Sequence, residues 1–330
     1  MLTAQQLSAT YNNNVLQLIT TYNNGIAAIL KLRTSNYIKQ NNLNALKKQY
    51  QANMLKLKLK YMADLAALTK PVPVPVVAPV GNKKALLVGV NYNGTASQLN
   101  GCINDALNIS TMLSTKYTFP SANIKILTDD TETKPTHDNL LAAFTQLLQS
   151  GEAGDLLFFS FSGHGSYILD KNNDETTGYD EMIITADLKG ILDDELKALI
   201  KTHLKKNVTL FALFDCCFSG TVLDLKYQYL DSLNNNTSTQ NNMETDTSGN
   251  VIMISGCTDE QTSADAYLDK KYQGAMTWAF LASLNSVPAP VSWRELLTNM
   301  RTLLAGSKFT QLPQLSSGCL MDINKALCLL

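Results

Sequence analysis

Two stretches constrain the fold of this chain more than any others: DLLFFSFSGHGSY at 155–167 and NVTLFALFDCCFSG at 207–220. Each is an apolar, β-branched and aromatic run that breaks into a turn of small residues. Such runs, bounded by glycine, read as buried strands of a parallel sheet. In open α/β sheets, function gathers at the carboxyl ends of strands. One turn delivers His164 there and the other Cys216 and Cys217, with His164 lying 53 residues before Cys217. A thiol and an imidazole on neighbouring strand ends form a nucleophile–base pair. Taken singly, a buried cysteine is a small hydrophobe and a lone histidine a satisfied side chain. Here, however, Gly163 and Gly165 flank His164 and let backbone approach a bound molecule, and two like turns follow two like strands. Catalysis is the better reading of the pair.

A free thiol needs a reducing setting, and the other cysteines agree with one. Six cysteines without regular spacing make no disulfide framework. Adjacent Cys216 and Cys217 chelate poorly and no CxxC occurs, so zinc is not expected. The first twenty residues hold no basic residue and no sustained apolar run, and no eighteen-residue apolar stretch exists. The expectation is a cytoplasmic protein without a signal peptide or membrane span. No nucleic-acid partner is expected. The net charge of −1 conceals a division. Residues 1–80 carry nine Lys or Arg and one acid, Asp64, for +8; the remainder carries 18 basic and 27 acidic residues, for −9. Such asymmetry marks an interacting arm.

Along the chain, residues 1–42 are rich in Asn, Gln and Thr, with a weak helical signal. From Leu43 the apolar residues recur at steps of three and four (Leu46, Tyr50, Met54, Leu57, Tyr61, Leu65, Leu68), which predicts an amphipathic helix over 43–69. Three roles fit it: packing on its own catalytic domain, pairing with a partner, or lying on a membrane surface. PVPVPVVAPVG at 71–81 is a stiff, extended linker. The organisation is therefore a basic helical extension (1–70), a Pro-rich linker (71–82) and a catalytic domain (83–330). Within the domain come a His/Cys part (83–226), a flexible loop (227–250) and a second part (251–330). Strands are expected at 83–91, 124–130, 155–162, 207–215, 251–257 and 313–320, with a hairpin at 182–187. Helices are expected at 104–117, 138–150, 193–206, 274–285 and 292–304. This alternation argues a mainly parallel sheet with helices on both faces. His137 and His203 fall at helix ends and read as structural.

Two acids bear on specificity. Asp215 precedes the cysteines at a strand end, and Asp105 follows a strand and loop. If both line one pocket they demand a cationic partner, because a buried carboxylate is costly unless paired. Asp105 also suits a helix N-cap.

The chain resembles the metacaspases, among the caspase-like cysteine peptidases. The resemblance rests on GCIND (101–105), SGHG (162–165), DCCFSG (215–220), SGCTDEQTSAD (255–265) and PQLSSG (313–318), five motifs in family order over about 83–320. It implies a caspase-like α/β fold and a cysteine endopeptidase that cuts after Arg or Lys. It makes Cys217 the nucleophile, His164 its base and proton donor, and the backbone N–H groups of Gly165 and Cys217 the oxyanion donors. It places Cys102, Asp105, Ser162 and Asp215 in the substrate pocket, and Asp180, Asp193, Asp194 and Asp224 at an activating Ca²⁺. Asp193 and Asp194 equally suit a helix start. The order of parts is similar to a type I metacaspase, without the Cys-rich zinc finger many of them carry. Cys216 stands where the family often has Ser, and Phe218 replaces a common His.

Two further expectations follow. Residues 227–269 contain no Lys or Arg, so self-cleavage by such an enzyme falls after Lys226, or after Lys70, Lys83 or Lys84. The arm, opposite in charge to the domain, acts as an intramolecular inhibitor. The rival class is a non-catalytic caspase-like scaffold acting through the 43–69 helix.

Overall fold

The structure, a computed structural model, describes residues 4–32, 34–68, 81–169, 179–217, 222–229, 239–240, 246–256, 265–268, 271–286 and 290–329. Lys70, most of the 71–81 linker, most of the 170–181 loop, Phe218 and the 257–264 stretch lie outside the described residues. The chain forms two compact units, Met1–Val72 and Pro73–Leu330.

The first unit is a hairpin of two long helices, α1 (Ala4–Lys31) and α2 (Asn36–Leu68). The apolar stripe that begins at Leu43 is answered by α1. Tyr22 stacks on Tyr50 and Tyr11 on Tyr61, each at 4.4 Å between ring centroids, so the helices run antiparallel. The polar composition of 1–42 gave only a weak helical signal, yet α1 spans most of it. Pairing with α2 supplies what propensity lacks.

The second unit begins with β1 (Lys83–Gly89), α3 (Cys102–Lys116), β2 (Ile124–Thr128), α4 (His137–Gln149), β3 (Leu156–Ser162), β4 (Gly165–Leu169), β5 (Tyr179–Ile184), β6 (Gly190–Leu192) and α5 (Asp193–His203). Here β1, β2 and β3 and the helices α3 and α4 between them follow the expected alternation, while β4 and β6 are additional. The rest comprises β7 (Thr209–Asp215), β8 (Tyr227–Gln228), β9 (Thr239–Gln240), β10 (Asn250–Ser255), β11 (Asp265–Leu268), β12 (Lys271–Gly274), α6 (Ala275–Ser286), α7 (Trp293–Gly306) and β13 (Gln314–Ser317). The main sheet runs β2-β1-β3-β7-β10-β13-β8-β9, parallel through β10 and antiparallel beyond it. The 227–250 stretch, expected as loop, holds β8 and β9, which extend that antiparallel edge. The expected hairpin at 182–187 is a three-stranded sheet of β4, β5 and β6. A further hairpin, β11–β12, was not expected at all.

The central strands carry apolar residues on both faces, so alternation decides which core each side chain joins. In β7, Phe211 and Leu213 pack with α3, α6 and α7, whereas Leu210, Ala212 and Phe214 pack with α4 and α5. In β3, Leu156 and Phe158 join the first core and Leu157, Phe159 and Phe161 the second. Burying such aromatic and aliphatic side chains contributes about 1.5–3 kcal/mol each, which is what holds the two strand ends in register.

Candidate active site

The β3–β7 register pairs Ser162 with Asp215, so the two glycine-rich turns leave the sheet side by side. Gly163 N–H donates to the Asp215 carbonyl at 3.3 Å and ties the turns together. Alternation then separates the adjacent cysteines. Cys216 continues the row of Leu210, Ala212 and Phe214 into the α4/α5 core and is 1% exposed. Cys217 has the opposite parity and is partly exposed at the strand end.

His164 is held from three sides. Its backbone N–H donates to the Tyr92 hydroxyl at 2.7 Å, and that hydroxyl donates to the Ile184 carbonyl at 2.7 Å. Burial pushes the Tyr92 phenol far above its ordinary range, so it stays a donor. The Tyr92 and His164 rings lie 4.7 Å apart at a tilt of 32°. His164 Nε2 sits 2.7 Å from the Ser97 carbonyl, an acceptor only. The ring proton therefore belongs on Nε2, and Nδ1 keeps the lone pair that can take a thiol proton. Tyr92 and Ser97 were not singled out in the sequence. Their signal was the Asn- and Gly-rich turn after β1, where Tyr92 adopts a left-handed φ of 53°.

Gly165 lies against the backbone of Cys217. A Cβ there would fall 1.9 Å from the Cys217 carbonyl oxygen and 3.3 Å from its nitrogen. Only glycine fits, and the two segments proposed as oxyanion donors are thus neighbours.

The acids converge on the opposite face from Cys216. Asp105 sits in the first turn of α3, whose N-cap is Gly101, so it does not cap that helix. Its carboxylate, 0% exposed, accepts from Ser162 Oγ at 2.7 Å and from Gly274 N–H at 3.0 Å. Asp215, 4% exposed, accepts from Thr277 N–H at 2.8 Å. Cys102 opens α3 with its N–H on the Asn91 side-chain oxygen at 3.0 Å. Gly274 and Thr277 are site residues that sequence reasoning missed.

The comparisons with known proteins agree with this geometry. A family profile described as "Metacaspase, peptidase C14 domain" matches residues 83–226, the span that holds His164 and Cys217. Metacaspase-1 of Meyerozyma guilliermondii is 35% identical, with 74% of this chain aligned to 71% of the relative. Metacaspase-1 of Kluyveromyces lactis is 38% identical, with 74% aligned to 68%. This chain belongs to the metacaspase family. It is a caspase-like cysteine peptidase. A crystal structure of a protein from Geobacter sulfurreducens shares the fold at a TM-score of 0.53 and 23% identity, covering 72% of this chain and 93% of that one. Among the described residues, no helix of this metacaspase is long and apolar enough to cross a membrane.

Of the four acids assigned to Ca²⁺, three come together: Asp193, Asp194 and Asp224 each offer an oxygen within 4.8 Å of the others. Asp180 is not in that trio; it lies buried in β5 beside Glu181, whose N–H donates to Asp193 Oδ2 at 2.7 Å. Burial, then the charge of Asp224, pushes the Asp193 carboxyl up to about 7. Lys197 Nζ stands 3.3 Å from Asp224 and 3.9 Å from Asp194, compensating part of the charge. An all-oxygen, multiply acidic donor set of this kind fits a hard divalent cation. Asp193 and Asp194 are also the first two residues of α5.

The lysines proposed for self-cleavage differ in setting. Lys83 and Lys84 belong to β1, between β2 and β3 in the sheet. Lys83 Nζ donates to the Tyr117 and Leu329 carbonyls, and Lys84 pairs with Asp155 at 3.1 Å. Lys226 immediately precedes β8 and pairs with Asp246 at 2.8 Å. His137 and His203 sit at the ends of α4 and α5.

Proposed function

We propose that this metacaspase cuts peptide bonds after Arg or Lys, with Cys217 as nucleophile and His164 as base and acid, and that Ca²⁺ stimulates it. The observation that carries the specificity is the convergence of two buried carboxylates, Asp105 and Asp215, beside the Cys217 turn. Two like charges at one spot repel unless a cation joins them, and an arginine or lysine side chain is the cation a substrate brings.

In the reaction His164 Nδ1 takes the Cys217 thiol proton as sulfur attacks the carbonyl carbon. Negative charge then develops on the carbonyl oxygen and falls to the backbone N–H groups of Gly165 and Cys217. The same imidazolium protonates the departing amine, the C–N bond breaks, and a thioester remains. Water, deprotonated by the now neutral imidazole, hydrolyses the thioester and restores the thiol. Asp193, Asp194 and Asp224 would hold Ca²⁺, with Asp180 nearby on β5, and the ion would neutralise their mutual repulsion.

Matched peptide reporters ending in Arg, Lys or Asp test this, each with and without Ca²⁺. Arg and Lys reporters should turn over at least about 30-fold faster than the Asp reporter, the lower end for one buried charge pair. Ca²⁺ should raise the rate and a chelator reverse the gain. Efficient cleavage after Asp would sink the specificity; indifference to Ca²⁺ and chelator would sink the metal reading.

The N-terminal arm is part of the same proposal. Its +8 charge opposes the −9 of the remainder, and it carries lysines of the kind the acid pair would accept. Eleven linker residues at about 3.1 Å each reach roughly 34 Å. A lysine held in the pocket with its bond out of line would restrain the enzyme, and a cut after Lys70 would free it. Lys226 is the favoured site for separating the two parts of the domain. A chain beginning at Gly81 should therefore turn over a small Arg reporter faster than the full chain. The gap should shrink as salt rises, since the Debye length is about 10 Å at 0.1 M. Equal rates, and no inhibition by added residues 1–80, would remove the restraint.

A further inference from the structure

The junction of β12 and α6 meets the acid pair from the second part of the chain, outside the matched 83–226 span. Gly274 N–H bonds both oxygens of Asp105, and Thr277 N–H bonds Asp215 Oδ2. A Cβ on Gly274 would lie 2.1 Å from Asp215 Oδ2 and 2.7 Å from Asp105 Oδ2. Both carboxylates thus converge on one point, and that point is where any other residue would put its side chain. Backbone conformation does not call for glycine here, because Gly274 is not among the residues of positive φ. Space does. The hairpin β11–β12 is moored to α3 as well: Asn104 Nδ2 donates to the Tyr272 carbonyl at 2.9 Å, and Lys271 Nζ to Asn108 Oδ1 at 2.9 Å.

We infer that Gly274 is a specificity-positioning residue, whose missing side chain lets its own amide and that of Thr277 hold Asp105 and Asp215 together as one cation-binding pair. The inference rests on the Arg/Lys reading above. The physical reasoning is short. Charge-assisted N–H bonds offset much of the cost of burying a carboxylate. The first turn of a helix adds a favourable dipole. Together they let two acids from different elements, α3 and β7, stay close enough for one guanidinium or ammonium to meet both. A methyl group on residue 274 takes the place of Asp215 Oδ2. Either the carboxylate rotates away or α6 lifts, and the pair no longer converges.

The test uses the full chain and two reporters, one with Arg and one with citrulline, its neutral isostere, before the cut bond. In Gly274→Ala the kcat/KM for Arg should fall about 30-fold or more while that for citrulline stays within about threefold, so discrimination collapses. A purely structural defect would lower both alike, and that outcome, or unchanged discrimination, overturns the inference. If the parent itself does not discriminate Arg from citrulline, the Arg/Lys reading fails instead. The packing contact is then judged by melting temperature alone. Gly274→Ala should lower the Tm, and adding it to Asp215→Ala should lower it by less, since the nearer of the two clashing oxygens is gone. Equal drops in both backgrounds overturn the contact. Should Gly274→Ala not fold, the double variant decides: it folds if the clash is with Asp215, and its failure counts against the inference.

Discussion

Cys217→Ala abolishes peptide hydrolysis, by at least about three orders of magnitude, while Cys216→Ala keeps a substantial part of it. The two thiols are neighbours in sequence and differ in parity. Cys216 points with Phe214 into the α4/α5 core, where no substrate carbonyl reaches it. Cys217 is partly exposed and lies backbone-to-backbone with Gly165 beside His164. Loss of the Cys216 sulfur leaves a small void, so that variant should lose about 1–2 kcal/mol of fold stability, seen as a lower Tm with activity present. His164→Ala should cost several orders of magnitude, because thiol activation and amine protonation disappear together. Rates on any turnover reporter decide it. An active Cys217→Ala beside a dead Cys216→Ala would reverse the assignment.

Asp215→Ala removes most cleavage after Arg and Lys. Breaking one side of a buried, hydrogen-bonded charge pair costs about 2–5 kcal/mol, which in kcat/KM is a loss of roughly 30-fold to several thousandfold. Asp215 also accepts the Thr277 amide at the start of α6, so the variant leaves that donor without this acceptor and should melt earlier. The loss should be concentrated on cationic reporters, with citrulline affected much less. A variant that still prefers Arg as the parent does would place the cation site elsewhere.

Much of the fold was legible because its signals are local. The buried strands at 155–162 and 207–215, the amphipathic helix from Leu43 and the glycine turn around His164 each follow from residues close in sequence. What was weak or missed in the sequence has another origin. Residues 1–42 carry only a weak helical signal of their own, and α1 is firm because α2 offers Tyr50 and Tyr61 to Tyr22 and Tyr11. β8 and β9 were hidden in an Asn- and Thr-rich stretch, because an edge strand needs a neighbour to pair with more than an apolar pattern of its own.

The same division runs through the site. The sequence by itself determined that a histidine and a cysteine each leave the end of a buried strand, since continuous apolar runs and small-residue turns encode where such a strand stops; the sheet order made those ends adjacent. Only the tertiary structure decided which of two adjacent cysteines faces outward, because burial depends on which core lies on each side of β7. It alone brought Tyr92 under the His164 backbone, across 72 residues of chain. It alone set Gly274 against Asp105, 169 residues away. Contacts of that reach arise where the strand order and the helices packed on each face bring distant segments together, and no local periodicity carries them.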